Sequence, residues 1–234
     1  MIKQDLPSLL RANPYPGRGI VLGSSPGASA AVIVYWIMGR SENSRNRVFE
    51  ATEDGIRTRA FDESRMTDPF LIIYRPVRVV GRRVVVTNGD QTDTIRDFLL
   101  AGKTFAQALR TRTFEPDAPN CTPRISGLLE QDGTYTLSIL KAGCSGMCDR
   151  QFFEYACCAD TGHFISTYQG DGDPLPSFAG EPVPVSIGCD GAEELAGALW
   201  ESLDEANKVS LFVQYIDLET GFPETVIINK HQSG

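Results

Sequence analysis

The chain has 234 residues, of which 41% are hydrophobic and 22% charged, and it carries a formal net charge of -8 with a pI near 4.9. This is the composition of an ordinary soluble globular protein long enough to bury a core, and it excludes disordered and low-complexity classes. An acidic chain also lacks the broad basic footprint that nucleic acid requires, so no nucleic-acid partner is expected.

The charge is unevenly placed. Residues 1–125 hold 18 Lys+Arg against 13 Asp+Glu, whereas residues 126–234 hold 4 against 17. An anion site is therefore expected in the first half, with the acidic second half mostly surface. In chain order, "MIKQDLPSLLRANPYPG" lacks the apolar centre of a signal peptide. The longest apolar run, "ASAAVIVYWIM" (28–38), is too short to span a bilayer. A cytoplasmic location without a membrane partner is the expectation.

"GIVLGSS" and "AAVIVYWIMGR", joined through Pro-Gly, read as a hairpin. "GRSENSRNRVF" (39–49) follows and sets Arg40, Arg45 and Arg47 among Ser and Asn. Guanidinium groups among small hydrogen-bonding residues suit a phosphate or carboxylate, which the fork can bind bidentately. "PFLIIYRPVRVVGRRVVVTNGD" reads as two strands turning at Gly81, with Pro76 at a bulge or edge. Residues 93–114 change to helical period, with Asp93 as N-cap and a break at Gly102.

Strands then return in "PRISGLLE", "TYTLSILKAG", "RQFFEYAC" and "GHFISTYQG". A second helix is expected within 191–207, and "VSLFVQYIDL" and "ETVIINKH" close the chain as strands. Clustered rather than alternating elements define an α+β fold in one domain, 1–234. No glycine-rich phosphate loop opens a helix, which removes the Rossmann and P-loop readings. The six cysteines match no standard zinc spacing and read as free thiols, so no metal and no cofactor are expected.

With only His163 and His231, histidine catalysis has little to draw on. The polar segments at strand ends each also have a plain structural reading. Arg40, Arg45 and Arg47 could serve ion pairs, and "TNGDQTD" is ordinary turn and cap chemistry. Glu115 and Asp117 could sit in a solvated loop, and Tyr74 could be a core tyrosine.

Taken together, "NPYPGRGI", "GRSENSRNRVF", "IIYRPVRVV", "TNGDQTDTI" and "FEPDAPNCTPRISG", in this order and spacing, resemble the archaeal-type IMP cyclohydrolases and their bacterial relatives. The resemblance to the archaeal forms runs from about Gly17 to Arg150; the bacterial branch also shares "GHFISTY", "DGDPLPSF" and "NKVSLFV". It implies a four-layer αββα sandwich of the N-terminal-nucleophile hydrolase type. It also implies closure of 5-formamidoimidazole-4-carboxamide ribonucleotide to IMP with loss of water, and hence a small purine ribonucleotide as partner. The chain begins Met1-Ile2 ahead of "GRG", where the fold's classical members expose a Thr, Ser or Cys nucleophile. The cyclohydrolases are understood to work without one, so no self-cleavage is expected. A homo-oligomer is compatible with such a fold.

Ring closure needs a base, because the carboxamide nitrogen must lose a proton as it attacks. It also needs a donor for the formyl oxygen and cations for the phosphate. The resemblance implies Arg45 or Arg47, Tyr74 and Glu115 in the active site. Glu115 would act on the carboxamide and Tyr74 on the departing oxygen. Arg40, Arg45, Arg47 and Arg124 would share phosphate and oxyanion, and Asn88, Asp90 and Thr92 would hold base or ribose. An extra residue in "PDAPNCTPRI" leaves Asp117 as the alternative to Glu115. An amide hydrolase of the same fold and a nucleotide sensor without turnover are the competing readings.

Overall fold

The β-branched runs pair into two seven-stranded sheets in a computed structural model that describes residues 2–67, 69–144 and 146–231. Met1, on which the question of an N-terminal nucleophile bears, lies outside the described residues. The chain opens with β1 (Gln4–Asp5), α1 (Leu6–Ala12), β2 (Gly19–Ser24), β3 (Ala30–Met38), α2 (Glu42–Arg45), β4 (Arg47–Thr52) and β5 (Gly55–Ala60). A 3-10 turn at Glu63–Arg65 leads to β6 (Val77–Val80), β7 (Arg83–Thr87), α3 (Gln91–Leu100) and α4 (Phe105–Leu109). Next come β8 (Arg124–Leu129), β9 (Tyr135–Ala142), β10 (Cys148–Tyr155), β11 (Thr161–Ser166) and β12 (Val183–Ser186). The last elements are α5 (Ala192–Ser202), β13 (Lys208–Asp217) and β14 (Pro223–Asn229).

One sheet has the order β1-β12-β11-β2-β3-β13-β14 and is antiparallel except where β1 lies beside β12. The other, β10-β9-β8-β7-β6-β5-β4, is antiparallel throughout. Period-two alternation sorts the side chains of each strand onto two faces. In β3, Ile33, Tyr35 and Ile37 join Phe49, Val84, Val86, Ile125 and Ile139 of the second sheet in a shared core. Val32, Val34, Trp36 and Met38 turn the other way, onto Leu6 and Leu10 of α1 and Leu195 and Leu199 of α5. β3 is therefore buried on both faces, which is why its sequence is continuously apolar. On the second sheet, Val85, Leu128 and Leu140 pack against Ile95 and Leu99 of α3 and Phe105 and Leu109 of α4.

The expected helix break falls at Gly102, whose φ is +71°, but two local expectations change and one hairpin is unanticipated. Residues 69–74 form a turn, with the amides of Ile72 and Ile73 both bonded to the Pro69 carbonyl, and β6 begins only after Pro76. α3 starts at Gln91, which puts Asp93 inside its first turn; Asp90 holds the N-cap position without a capping bond. The β4–β5 hairpin, hidden in the polar "RVFEATEDGIRTRA", extends the second sheet to its edge. That edge is sealed by Asn229, which accepts from the Phe49 amide at 2.8 Å and donates to the Phe49 carbonyl at 3.0 Å. All six cysteines are free, and among the described residues no helix is long and apolar enough to cross a membrane.

At the end of the inter-sheet space that holds the N-terminus of β9 and the C-terminus of β10, His163 is buried. Its Nδ1 lies 2.7 Å from the Tyr135 hydroxyl and its ring is stacked 3.5 Å from Tyr155. Burial lowers its pKa to about 4. The unfolded chain takes up this proton near pH 6.5 while the folded one does not, so stability falls as pH drops from 6.5 toward 4. Replacing His163 by Phe should remove about 2 kcal/mol of that acid-side loss, measured as the change in unfolding free energy between pH 7 and pH 4.5 in wild type and variant.

Candidate active site

The three arginines after β3 part company. Ser41 caps α2 in a capping box with Ser44, and this single turn carries the chain from one sheet into the other. Arg40 faces outward, 2.7 Å from Asp171 and 5.2 Å above the Tyr15 ring. Arg45 is also exposed. Its Nε donates to the Gly39 carbonyl, and it lines a surface hollow with Glu42, Asn46, Phe61, Arg65 and His231. Arg47 goes the other way, with 0% exposure. Its Nε donates to the Ser44 carbonyl at 2.7 Å, and its Nη1 is buried without a partner.

Arg18 joins Arg47 from the opposite sheet. Gly17 has φ +74°, and a Cβ there would stand 2.3 Å from Thr167 Oγ1 and 2.6 Å from the Tyr168 ring. Only glycine lets the chain make this turn and deliver Arg18 inward. The Arg18 guanidinium reaches to 3.9 Å from Glu115, and its Nε is also buried without a partner. Glu115 itself is 1% exposed.

The "TNGD" turn supplies the floor. Asn88 donates to Glu115 Oε1 at 3.3 Å and to the Pro123 carbonyl at 2.9 Å, and accepts from the Ile125 amide. Arg124 donates to Gln91 at 2.6 Å and to Asp90 at 2.7 Å. A Cβ on Gly89 would meet Arg124 Nη1 at 2.5 Å and Gln91 Oε1 at 2.7 Å, so a side chain there would have to displace the Arg124–Gln91 pair. Thr92 is buried and donates to the Gly89 carbonyl, while Asp90 bonds Arg112 as well as Arg124. Both therefore brace the turn from behind. Across the site the Tyr74 hydroxyl lies 2.7 Å from that of Tyr35.

These groups set one another's protonation. Burial pushes the Glu115 carboxyl up to about 6 against the pull of Arg18, Arg124 and Arg47, and Asp117 adds to the rise. Burial and the adjacent Tyr74 push Tyr35 well above its usual value, so it stays protonated. Burial opposes the charge on Arg18, but Glu115 together with Tyr74, Tyr168 and Tyr15 outweighs it and holds that guanidinium above its normal range.

The structure thus brings together Arg47, Tyr74, Asn88, Glu115 and Arg124 of the residues expected from sequence. Arg40 stands near the rim, and Arg45, expected among the catalytic groups, faces solvent instead. Asp117, the alternative to Glu115, turns its carboxylate to the Thr122 amide and hydroxyl, from which it accepts. Sequence reasoning passed over Arg18, although "NPYPGRGI" contains it, and Tyr35, which an apolar strand hides. Among the described residues no group of three His, Cys, Asp or Glu side chains could hold a metal ion.

Two guanidinium groups with unpartnered nitrogens, a carboxyl poised near neutrality and a phenol pair form an oxyanion site with proton-transfer capacity. The family model described as "IMP cyclohydrolase-like protein" matches residues 15–221, and the chain belongs to that family. It is 31% identical over 132 residues to an IMP cyclohydrolase of Halobacterium salinarum, covering 55% of this chain and 63% of the relative. IMP cyclohydrolases of Methanococcus aeolicus and Methanococcus maripaludis are 31% and 33% identical, each over 52% of this chain and 61% of the relative. The chain thus aligns with about three-fifths of the length of each of these relatives.

A carboxyl raised from 4.5 to about 6 is more stable folded when protonated. Its contribution grows as pH falls below 6 and is complete below 4.5. Glu115→Gln should therefore raise stability at pH 7.5 by about 2 kcal/mol, and thermal unfolding of both proteins should show the gap closing by pH 4.5.

Proposed function

We propose that this chain is an IMP cyclohydrolase that closes 5-formamidoimidazole-4-carboxamide ribonucleotide to IMP in the cytoplasm. The two sheets with helices on their outer faces support a four-layer αββα sandwich of the N-terminal-nucleophile hydrolase type, folded as one domain over 1–234. The observation that carries the activity is the buried Glu115 beside Arg18 and Arg47, whose Nε and Nη1 are left without partners.

Glu115, mostly ionised at neutral pH, takes a proton from the carboxamide nitrogen as that nitrogen attacks the formyl carbon. The C–N bond forms, the carbonyl π pair moves onto oxygen, and Arg47 and Arg18 stabilise the charge that develops there. The Tyr74–Tyr35 hydroxyl pair donates to the same oxygen. The formamide nitrogen then gives up its proton, the C–O bond breaks, and the oxygen leaves as water with the two protons lost by the nitrogens. The reaction is intramolecular, so holding the formamide against the carboxamide supplies much of the rate. Arg124 and the near-rim Arg40 provide positive charge for the phosphate, and Asn88 fixes the Glu115 carboxylate.

Purified protein mixed with the formamido ribonucleotide should form IMP, followed by absorbance. Glu115→Gln, Tyr74→Phe and Arg47→Ala should each lower kcat about a hundredfold, whereas Arg45→Ala should stay within about threefold. In wild type, kcat should fall as pH drops through about 6, where Glu115 gains its proton. Tight IMP binding without turnover would indicate a sensor, and turnover of another anionic amide alone would indicate a hydrolase of the same fold.

A further inference from the structure

Asp117, Thr122 and Tyr168 form a chain of hydrogen bonds along one side of the site. Thr122 donates its amide to Asp117 Oδ1 at 2.7 Å and its hydroxyl to Asp117 Oδ2. The Thr122 hydroxyl also lies 2.5 Å from the Tyr168 hydroxyl. An ionised carboxylate only accepts, and a threonine hydroxyl has a single proton. The polarity is therefore fixed: Tyr168 donates to Thr122, and Thr122 donates to Asp117.

This chain joins two distant parts of the sequence. The Glu115 amide bonds the Thr122 carbonyl at 2.9 Å, so the loop bearing Glu115 is closed by the same threonine. Tyr168 is buried, donates its amide to the Pro16 carbonyl and stacks on Tyr15 with ring centres 6.0 Å apart. Its proton is committed to Thr122, so its oxygen offers only lone pairs to other groups. The Arg18 amide donates to Oγ1 of the adjoining Thr167 at 3.1 Å and the Arg18 carbonyl accepts from the Thr167 amide, which sets the Arg18 segment beside Tyr168.

We infer that Asp117 is a positioning residue which, through Thr122, fixes the Tyr168 phenol as a hydrogen-bond acceptor beside Arg18 and pins the loop that carries Glu115. The inference rests on the cyclohydrolase reading for its kinetic consequence, but not for its structural one. Asp117→Asn nearly preserves shape yet can accept only one of the two Thr122 bonds. With its amide oxygen on the Thr122 N–H, its NH2 faces the hydroxyl and reverses the chain. Thr122→Val cuts the chain and leaves the Asp117 charge in place, whereas Thr122→Ser keeps it.

In the full chain, Asp117→Asn and Thr122→Val should each lower kcat about tenfold or more, with KM changed less than about threefold, and Thr122→Ser should recover activity to within about threefold of wild type. Asp117 bears on Glu115 as an anion, against the pull of Arg18, Arg124 and Arg47. The acid limb of kcat should accordingly move to lower pH in Asp117→Asn and stay in place in Thr122→Val. The carbon-13 signal of the Tyr168 phenol carbon, followed by NMR, should shift in Asp117→Asn and Thr122→Val and hold in Thr122→Ser, whether or not the protein turns over. Wild-type protein without turnover, together with that pattern at Tyr168, would sink the cyclohydrolase reading and keep the positioning role. A Tyr168 signal unchanged in Asp117→Asn and Thr122→Val, or wild-type kcat in both, would overturn the inference.

Discussion

The buried charge at one end of the two sheets is the constraint to which the surrounding structure answers. Removing a carboxylate or a guanidinium from water costs several kcal/mol per ion, and the attraction between them repays this only when the remaining donors and acceptors are placed well. Around Glu115, Asn88 is held by the Pro123 carbonyl and the Ile125 amide before it ever reaches the carboxylate. Arg124 is likewise held by Gln91 and Asp90. The carboxyl remains undercompensated even so, as its position near 6 records. A protein built only for stability would neutralise it or pair it fully. The residual imbalance is the property a proton-transfer group requires.

The two sheets divide the task. Arg18 and Tyr35 come from the sheet centred on β2 and β3, and Arg47, Asn88 and Arg124 from the sheet centred on β7 and β8. No hairpin contains both halves, so the site exists only once the shared core has closed. Strand ends fix Arg18, Arg47, Asn88 and Arg124, while Tyr74 and Glu115 ride on the connections before β6 and β8. The three-residue link from Gly39 to Ser41 and the single turn of α2 are what allow neighbouring arginines to serve different places. A reversal that short sends Arg45 to solvent and Arg47 inward.

Much of the fold could be read from local pattern, because β-branched runs, the Gly102 break and the apolar stripe of α5 are strong signals. What escaped is instructive. The β4–β5 hairpin carries Glu50, Glu53, Asp54, Arg57 and Arg59, and the buried positions that alternate with them in β5 are Ile56, Thr58 and Ala60, a set too small and too polar to stand out as an apolar face. Residues 69–74 look like a strand because Leu71, Ile72 and Ile73 are apolar, yet Pro69 and Pro76 confine them to a turn. At the site, Tyr74, Glu115 and Arg47 were legible through unusual motifs. Arg18 was not, since a single arginine between glycines has no periodicity. Tyr35 is indistinguishable from its core neighbours until the phenol of Tyr74 is seen across from it. Choosing between Arg45 and Arg47 required three dimensions, for both sit in the same short polar stretch.

The amide of Asn229 acts as a one-residue substitute for a missing strand. It satisfies both backbone groups of Phe49 and is itself steadied by Ser210, 2.7 Å away. An exposed β4 would otherwise present an open template for another chain. The last strand of one sheet thus clasps the last strand of the other, closing the sandwich along that flank. Cross-chain growth is therefore blocked at Phe49 by a neutral amide, a protection separate from the charges that Arg47 and Glu50 carry elsewhere in the same strand.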